Sequence, residues 1–225
     1  FFSSLADTDT DGLITFRDLN STVNQSFVTD VNANGRIDAG DLLGDNRWSD
    51  LRDNDANGYT DDLIGWDFAN NDNNPYDDNN HGTHVSGTIG GIGGNGAGVA
   101  GVNWNTQLMA LKFLSATGSG STIGAINALN YYTNASIAST GGENFVATNN
   151  SWGGGGYSVS LEDAIVRSAL NDQLFVAAAG NSTVNNDITA SYPANYNTTA
   201  RAGYDSVISV AALTSSGTLA SYSNY

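Results

Sequence analysis

The stretch His81-Gly82-Thr83-His84-Val85-Ser86-Gly87-Thr88 decides how the rest of this chain is read. A histidine stands ahead of a run of small residues that can enter a helix. Gly82, Ser86 and Gly87 leave little side chain between such a helix and a sheet. The stretch therefore predicts a buried helix whose first imidazole, His81, faces a cleft, which is a way to aim a general base. Taken alone, the same residues also make a glycine-rich packing helix with two incidental histidines.

Downstream of it the chain alternates. Gly90 to Gly101 holds seven glycines in twelve residues and reads as a turn-rich loop. Gln107 to Leu114 reads as a buried strand. Ser121 to Tyr132 reads as a helix with Ile123, Ile126, Leu129 and Tyr132 near one face, ending where Thr133 and Asn134 turn polar. Residues 144–149 form a second strand. Ser160 to Leu170 is a helix with Leu161, Ala164, Ile165 and Ala169 inward. Gln173 to Ala179 and Ser206 to Leu213 are two further strands. Strands alternating with helices predict an α/β fold, a mostly parallel sheet with helices on both faces. Ligands of such sheets bind beyond the carboxyl ends of the strands. Asn181 falls there, in Ala177-Ala178-Ala179-Gly180-Asn181. Its amide can donate to a developing oxyanion; alone, the string is equally a strand end with an Asn turn.

Four strings, in order, resemble the subtilisin-like serine peptidases. The octet from His81 resembles that family's histidine motif, whose first His is catalytic. The string ending at Asn181 resembles the one that carries the oxyanion-hole Asn. Ser151-Trp152-Gly153-Gly154 resembles the substrate-pairing segment that lines the specificity pocket, with Trp152 where Leu is common. Gly118-Ser119-Gly120 resembles the opposite edge, so that a peptide would lie between the two as an added strand. The resemblance implies a subtilisin-like fold and a secreted, extracellular serine endopeptidase whose partner is a protein or peptide substrate. Its triad runs Asp, His, Ser along the chain. Neither the family's D-S/T-G string before the His nor its G-T-S-M-A string occurs in these 225 residues. Asp77 and Asp78 are too close to His81 in sequence to reach round and orient its ring. His81 is thus the one triad member expected here, and the chain reads as an internal piece of a catalytic domain, inactive alone.

The acid is concentrated upstream. Residues 1–80 hold 17 Asp against four Arg, and the only Glu of the chain are Glu143 and Glu162. Asp in short polar turns points to hard-cation binding. Three stretches start 23 residues apart, at Asp7, Asp30 and Asp53. The first two fit the calcium-loop template of oxygens at positions 1, 3, 5, 7 and 12 with Gly at 6. The first set is Asp7, Asp9, Asp11, the carbonyl of Leu13, and Asp18. The second is Asp30, Asn32, Asn34, the carbonyl of Arg36, and Asp41. The third offers Asp53, Asp55 and Asn57 but has Ile64 at position 12. It closes with Asp61, with Asp62 or with something distant, or binds nothing. The loops resemble those of dockerin-type repeats, though no flanking helices are evident. Asx-rich turns without metal are the plain alternative. Residues 1–62 are expected to be a Ca2+-binding insertion, and residues 63–225 the α/β core. Within the bridge between them, Tyr59 to Phe68 holds a short buried strand.

Composition narrows the rest. A net charge of -16 argues against affinity for nucleic acid. There is no cysteine, hence no thiol nucleophile or disulfide. No apolar run is long enough to span a membrane, and no signal peptide is visible. A monomer is expected. The other functional class that fits is a non-catalytic calcium-binding or peptide-binding module. It accounts for residues 1–62 and leaves the four ordered strings to coincidence.

Overall fold

Small residues and short apolar runs give short elements here, and a computed structural model describes them for residues 4–10, 12, 14–96, 98–139 and 145–225. The chain divides into two compact units, Phe1–Ser119 and Gly120–Tyr225.

In the first unit the acidic segment is ordered around two helices, α1 (Phe16–Leu19) and α2 (Ala39–Gly44). Each opens on a reciprocal cap. Thr15 and Asp18 form one and Asp38 and Asp41 the other, side chain to backbone in both directions. Helices therefore do follow the first two acidic loops, contrary to the reading of the sequence. They are too short for a periodic signal, and the caps alone mark them. Their apolar sides, Leu19 and Leu42, gather with Val28, Ile37 and Trp48 into a small core on which Leu5 packs. Two asparagines stitch it. Asn20 accepts from the Ile37 amide at 2.7 Å and donates to the Ile37 carbonyl at 2.7 Å. Asn24, fully buried, donates to the carbonyls of Ala6 and Asp18 and accepts from the Ala6 amide.

The same unit holds β1 (Gly65–Asp67), α3 (His81–Gly90) and β2 (Ala110–Lys112). Strands β1 and β2 pair in parallel, Gly65 opposite Ala110 and Asp67 opposite Lys112. At that last rung a salt bridge of 2.7 Å joins Lys112 Nζ to Asp67, with side chains 11% and 1% exposed. The Asp67 carboxylate also accepts from the amides of Ala69 and Asn70. None of α3's ten residues is buried, so the expected buried helix is instead an open one. Its small residues have little surface to bury, and no layer among the described residues of the first unit closes over it. Its C-terminal end is held by the glycine loop: the amides of Val102 and Asn103 return to the carbonyls of Thr88 and Ile89 at 3.0 and 2.9 Å. That return brings the Gly91 and Gly101 backbones so close that a Cβ on Gly101 would collide with the Gly91 nitrogen.

The second unit contains α4 (Thr122–Ala138), β3 (Ala147–Asn150), α5 (Val159–Ala169), β4 (Leu174–Ala178), α6 (Thr199–Ala202) and β5 (Val207–Val210). The order β3-β4-β5 is all parallel, with Ala147 opposite Leu174 and Phe175 opposite Val207. This is the α/β architecture with parallel pairing that the alternation implies. Ser121 and Ser158 cap α4 and α5. The inward set of α5 is as expected: Leu161, Ala164, Ile165 and Ala169 are buried. Helix α4 differs twice. Its buried face is Gly124, Ala125, Ala128, Leu129 and Tyr132, while Ile123 is 61% exposed; small residues on that face let α5 approach. It also runs six residues past Tyr132, through Thr133. That residue is buried because its hydroxyl donates to the Leu129 carbonyl at 2.9 Å. Strands β3 and β5 are the edges of this sheet among the described residues, and Ile208 and Val210 of β5 stand exposed on one face.

Candidate active site and acidic loops

His81 is the first residue of α3 and its side chain is exposed. The preceding Asn80 is left-handed, with φ of 80°, and makes no side-chain cap. Asp77 does the capping from outside. Its carboxylate accepts from the amides of Thr83 (2.7 Å), Asn79 (2.9 Å) and Asn80 (3.0 Å). Desolvation pushes this carboxyl up, but those hydrogen bonds outweigh it and hold it down to about 2. Asp78 pairs with Lys112 at 3.5 Å. Both carboxylates next to the histidine motif are thus committed to other groups.

The second unit opens a cleft of about 320 Å³ at the carboxyl ends of β3, β4 and β5. Asn149 and Ser151 come to it from β3, Ala178, Gly180 and Asn181 from β4, and Val210 to Ala212 from β5. Asn181 and Ser151, 30 positions apart, line the same space. Asn149 Nδ2 donates to Ser151 Oγ at 3.0 Å, and Trp152 Nε1 to Asn150 Oδ1 at 3.2 Å. Beyond Gly153 the Gly154 amide donates to the Tyr192 carbonyl at 3.3 Å. A smaller cavity of about 200 Å³ lies there, with Gly154, Gly155, Ser182, Val184 and Tyr192 in its wall. Gly118, Ser119 and Gly120 span the boundary of the two units. Gly118, at φ of 75°, turns a loop closed by the Ser115 amide on the Ser119 carbonyl at 2.9 Å. The wall residues Asn149 and Ala212 carry no site signal in the sequence; their places follow only from the strand register.

The three acidic loops share their backbone conformation at positions 4 and 6. Position 4 (Thr10, Ala33, Ala56) is left-handed at φ of 60°, 57° and 58°, and position 6 is Gly12, Gly35 and Gly58 at 90°, 87° and 94°. In each, the leading Asp folds back over that turn. Asp7 accepts from Thr10 and Gly12, Asp30 from Asn34 and Gly35, and Asp53 from Asn57 and Gly58. Asp11 and Leu13 lie outside the described residues. Asp18 and Asp41 are fully buried. Asp18 takes the amides and hydroxyls of Thr8 and Thr15, all at 2.7–2.9 Å. Burial raises its carboxyl, and those four bonds overcome this and bring it well below the usual carboxylate range. Asp41 takes the amides of Val31, Asn32 and Asp38. In the second loop Asn34 Nδ2 also donates to Asp38, at position 9, at 2.8 Å, and the Arg36 amide donates to Asn34 Oδ1 at 3.0 Å. In the third, the Asn57 amide group bridges Asp55 and Asp62 at 3.0 and 2.8 Å, so Asp62 faces the loop. Asp61 turns away to the amides of Asp50 and Leu51. Desolvation first, then the neighbouring Asp62 and Asp53, push the Asp55 carboxyl up.

Carboxylate oxygens of Asp7, Asp9 and Asp18 lie within 4.8 Å of one another. Asp9 Oδ1 is buried with no hydrogen-bond partner, while its other oxygen meets Arg17 at 2.8 Å. An oxygen-only set with one lone pair unsatisfied fits a hard cation.

Comparison with known proteins follows the same lines. Residues 4–225 match the subtilase family. The thermophilic serine proteinase of Bacillus sp. (strain AK1) is 36% identical over 163 residues, 72% of this chain and 36% of that protein. The subtilisin-like serine protease AsES of Sarocladium strictum is 39% identical over 152 residues, 66% of this chain and 34% of that protein. A solved structure of a cold adapted subtilisin-like serine proteinase superposes with a TM-score of 0.57 at 32% identity, over 72% of this chain and 50% of that one. The chain therefore spans about a third to a half of these three relatives.

Proposed function

Because the chain belongs to the subtilase family, we propose that it supplies the general base and the oxyanion donor of a secreted serine endopeptidase acting on protein or peptide substrates. His81 is the base. It takes the proton of the attacking serine hydroxyl and passes it to the leaving amine. Asn181 donates its amide hydrogen to the carbonyl oxygen as negative charge develops there. The serine and the orienting aspartate are assigned to no residue of 1–225. Ser151 to Gly153 and Gly118 to Gly120 are the substrate-pairing strings on this reading. The observation that carries this reading is the placement of Asn181 and Ser151 in one cleft at the carboxyl ends of three parallel strands.

Residues 1–62 are the calcium-binding insertion on this reading, and residues 63–225 the core. Asp7, Asp9, Asp11, the Leu13 carbonyl and Asp18 would hold one ion. Asp30, Asn32, Asn34, the Arg36 carbonyl and Asp41 would hold a second, with Asp38 close by. Asp53, Asp55, Asn57 and Asp62 would hold a third. Bound calcium there adds fold stability and no chemistry. Millimolar calcium outside cells suits loops of this kind. No helix among the described residues is long and apolar enough to cross a membrane.

The test is Asn181→Ala in the whole protein, assayed on a peptide amide. The expected loss is about 10²–10³ in kcat with KM little changed, the magnitude the family's own oxyanion Asn sets. An unchanged kcat would remove Asn181 from the reaction.

A further inference from the structure

We propose that Asn224 is a positioning residue for Asn181, an inference that rests on the oxyanion reading above. An exposed Asn on a loop stabilises charge well only if the loop holds it still, because preorganised donors need not reorient as charge develops. The loop after β4 has little packing of its own. Gly180 is left-handed at φ of 119°, and Asn181 and Ser182 are exposed. One buried side chain grips the backbone on both sides of Asn181. Asn224, 4% exposed, accepts at Oδ1 from the amides of Ser182 (2.8 Å) and Val184 (3.2 Å). Its Nδ2 donates to the Ala179 carbonyl and to Asn186 Oδ1, both at 3.1 Å. Its own amide donates to the Gly180 carbonyl at 2.9 Å. Peptide groups at 179, 180, 182 and 184 thus converge on a single residue, which leaves the Asn181 side chain as the free member of the turn.

The fit is tight. A Cβ on Gly180 would run into the Asn224 amide nitrogen. Neighbours of Asn224 extend the hold. Thr183 donates from its amide to the Tyr222 carbonyl at 3.1 Å and from its hydroxyl to the Ser221 carbonyl at 2.7 Å. Ser223 Oγ accepts from the Ala212 amide at 2.8 Å. Residues 221–224 therefore tie the β4-end wall of the cleft to its β5-end wall. Asn224 touches no substrate on this account. It acts through Asn181, so its loss should lower kcat and spare KM.

The experiment is a double-mutant cycle in the whole protein on a peptide amide substrate. Asn181→Ala sets the reference. Asn224→Ala is expected to lower kcat by roughly 10- to 100-fold, the scale of a misplaced group, with KM within about twofold. Once Asn181 is gone there is nothing left to position, so the double variant should match Asn181→Ala alone. Asn186→Ala is the structural control. It removes a buried partner of the same network (Asn186 Nδ2 to the Ala179 carbonyl, 2.9 Å) but leaves both loop amides on Asn224. It should lower the melting temperature and keep kcat within about threefold. If Asn224→Ala does not fold, Asn224→Asp carries the test. It retains the acceptor for the Ser182 and Val184 amides and should keep kcat within about fivefold of the parent, whereas Asn224→Ser, too short to reach both amides, should lower kcat by roughly 10-fold or more; equal kcat in these two variants would overturn the positioning role. Full kcat in Asn224→Ala, an additive double variant, or equal kcat losses in Asn224→Ala and Asn186→Ala would overturn the positioning role alone. No effect of Asn181→Ala would instead overturn the oxyanion reading on which it stands.

Discussion

Replacing Asp9 by Asn separates calcium binding from folding in the first acidic loop. In the absence of metal the Asp9 carboxylate does little for the fold. Its one side-chain partner among the described residues is Arg17, in an ion pair whose guanidinium side is more than half exposed, and such pairs are worth about 1 kcal/mol at most. Its other oxygen is buried without a partner, and a carboxylate oxygen of Asp9 lies within 4.8 Å of oxygens of Asp7 and Asp18. Removing that charge relieves repulsion that offsets the lost pair. In EDTA the variant should lie within about 1 kcal/mol of the parent. With calcium the balance changes. A loop of Kd on the order of 10⁻⁴–10⁻³ M, the range of extracellular modules, gains about 1.4–2.7 kcal/mol at roughly 10 mM calcium by mass action. For a chain of this size that is a shift of about 3–10 °C. Asp9→Asn removes a ligand and should lose most of the first loop's share. The assay is thermal melting of parent and variant, each in EDTA and in calcium. A melting temperature that falls equally in both buffers would refute the reasoning, because Asp9 would then be structural. So would a variant that keeps the full calcium shift.

Two other perturbations follow from single contacts. Asp77→Ala strips the cap from α3 and should cost about 1 kcal/mol, read by chemical denaturation at neutral pH. Because the folded carboxyl is held at about 2, below its ordinary value of 3.8, this contribution is complete above that ordinary value. It is lost as pH falls towards 2, so parent and variant should converge in acid. Lys112→Met strands the fully buried Asp67 without its cation. Unpairing a buried charge costs about 3–5 kcal/mol, with the lower end expected because two backbone amides still serve Asp67. A Lys112→Met variant as stable as the parent would show that those amides suffice.

The elements legible in the sequence are those with enough length to show a pattern. The apolar runs at 173–179 and 206–213 and the inward set of α5 needed no tertiary information. Observed strands are shorter than the runs that announce them, as with β2, where Gln107 to Leu114 contracts to Ala110–Lys112. Illegible features share one cause: a polar group satisfied inside the fold looks, in sequence, like a polar group in water. Thr133 hid the end of α4 because its hydroxyl bonds to the turn below it. Asp18 and Asp41 read as metal ligands, and their burial as helix caps showed only in three dimensions. No pattern in the sequence marks Asn224, yet four backbone groups around Asn181 bond to it. The cleft was legible in position, from the carboxyl-end rule, but not in its walls. The openness of α3 was not legible at all, since small residues announce close packing without saying what packs.

The most direct test of the central claim compares two histidines one helical turn apart. Casein hydrolysis by the whole protein would be measured for His81→Ala and for His84→Ala. If His81 is the base, its loss should lower kcat by at least about 10³-fold, on the scale of losing a triad member, while His84→Ala keeps kcat within about tenfold. Activity that survives His81→Ala, or that falls equally in both variants, would contradict the assignment.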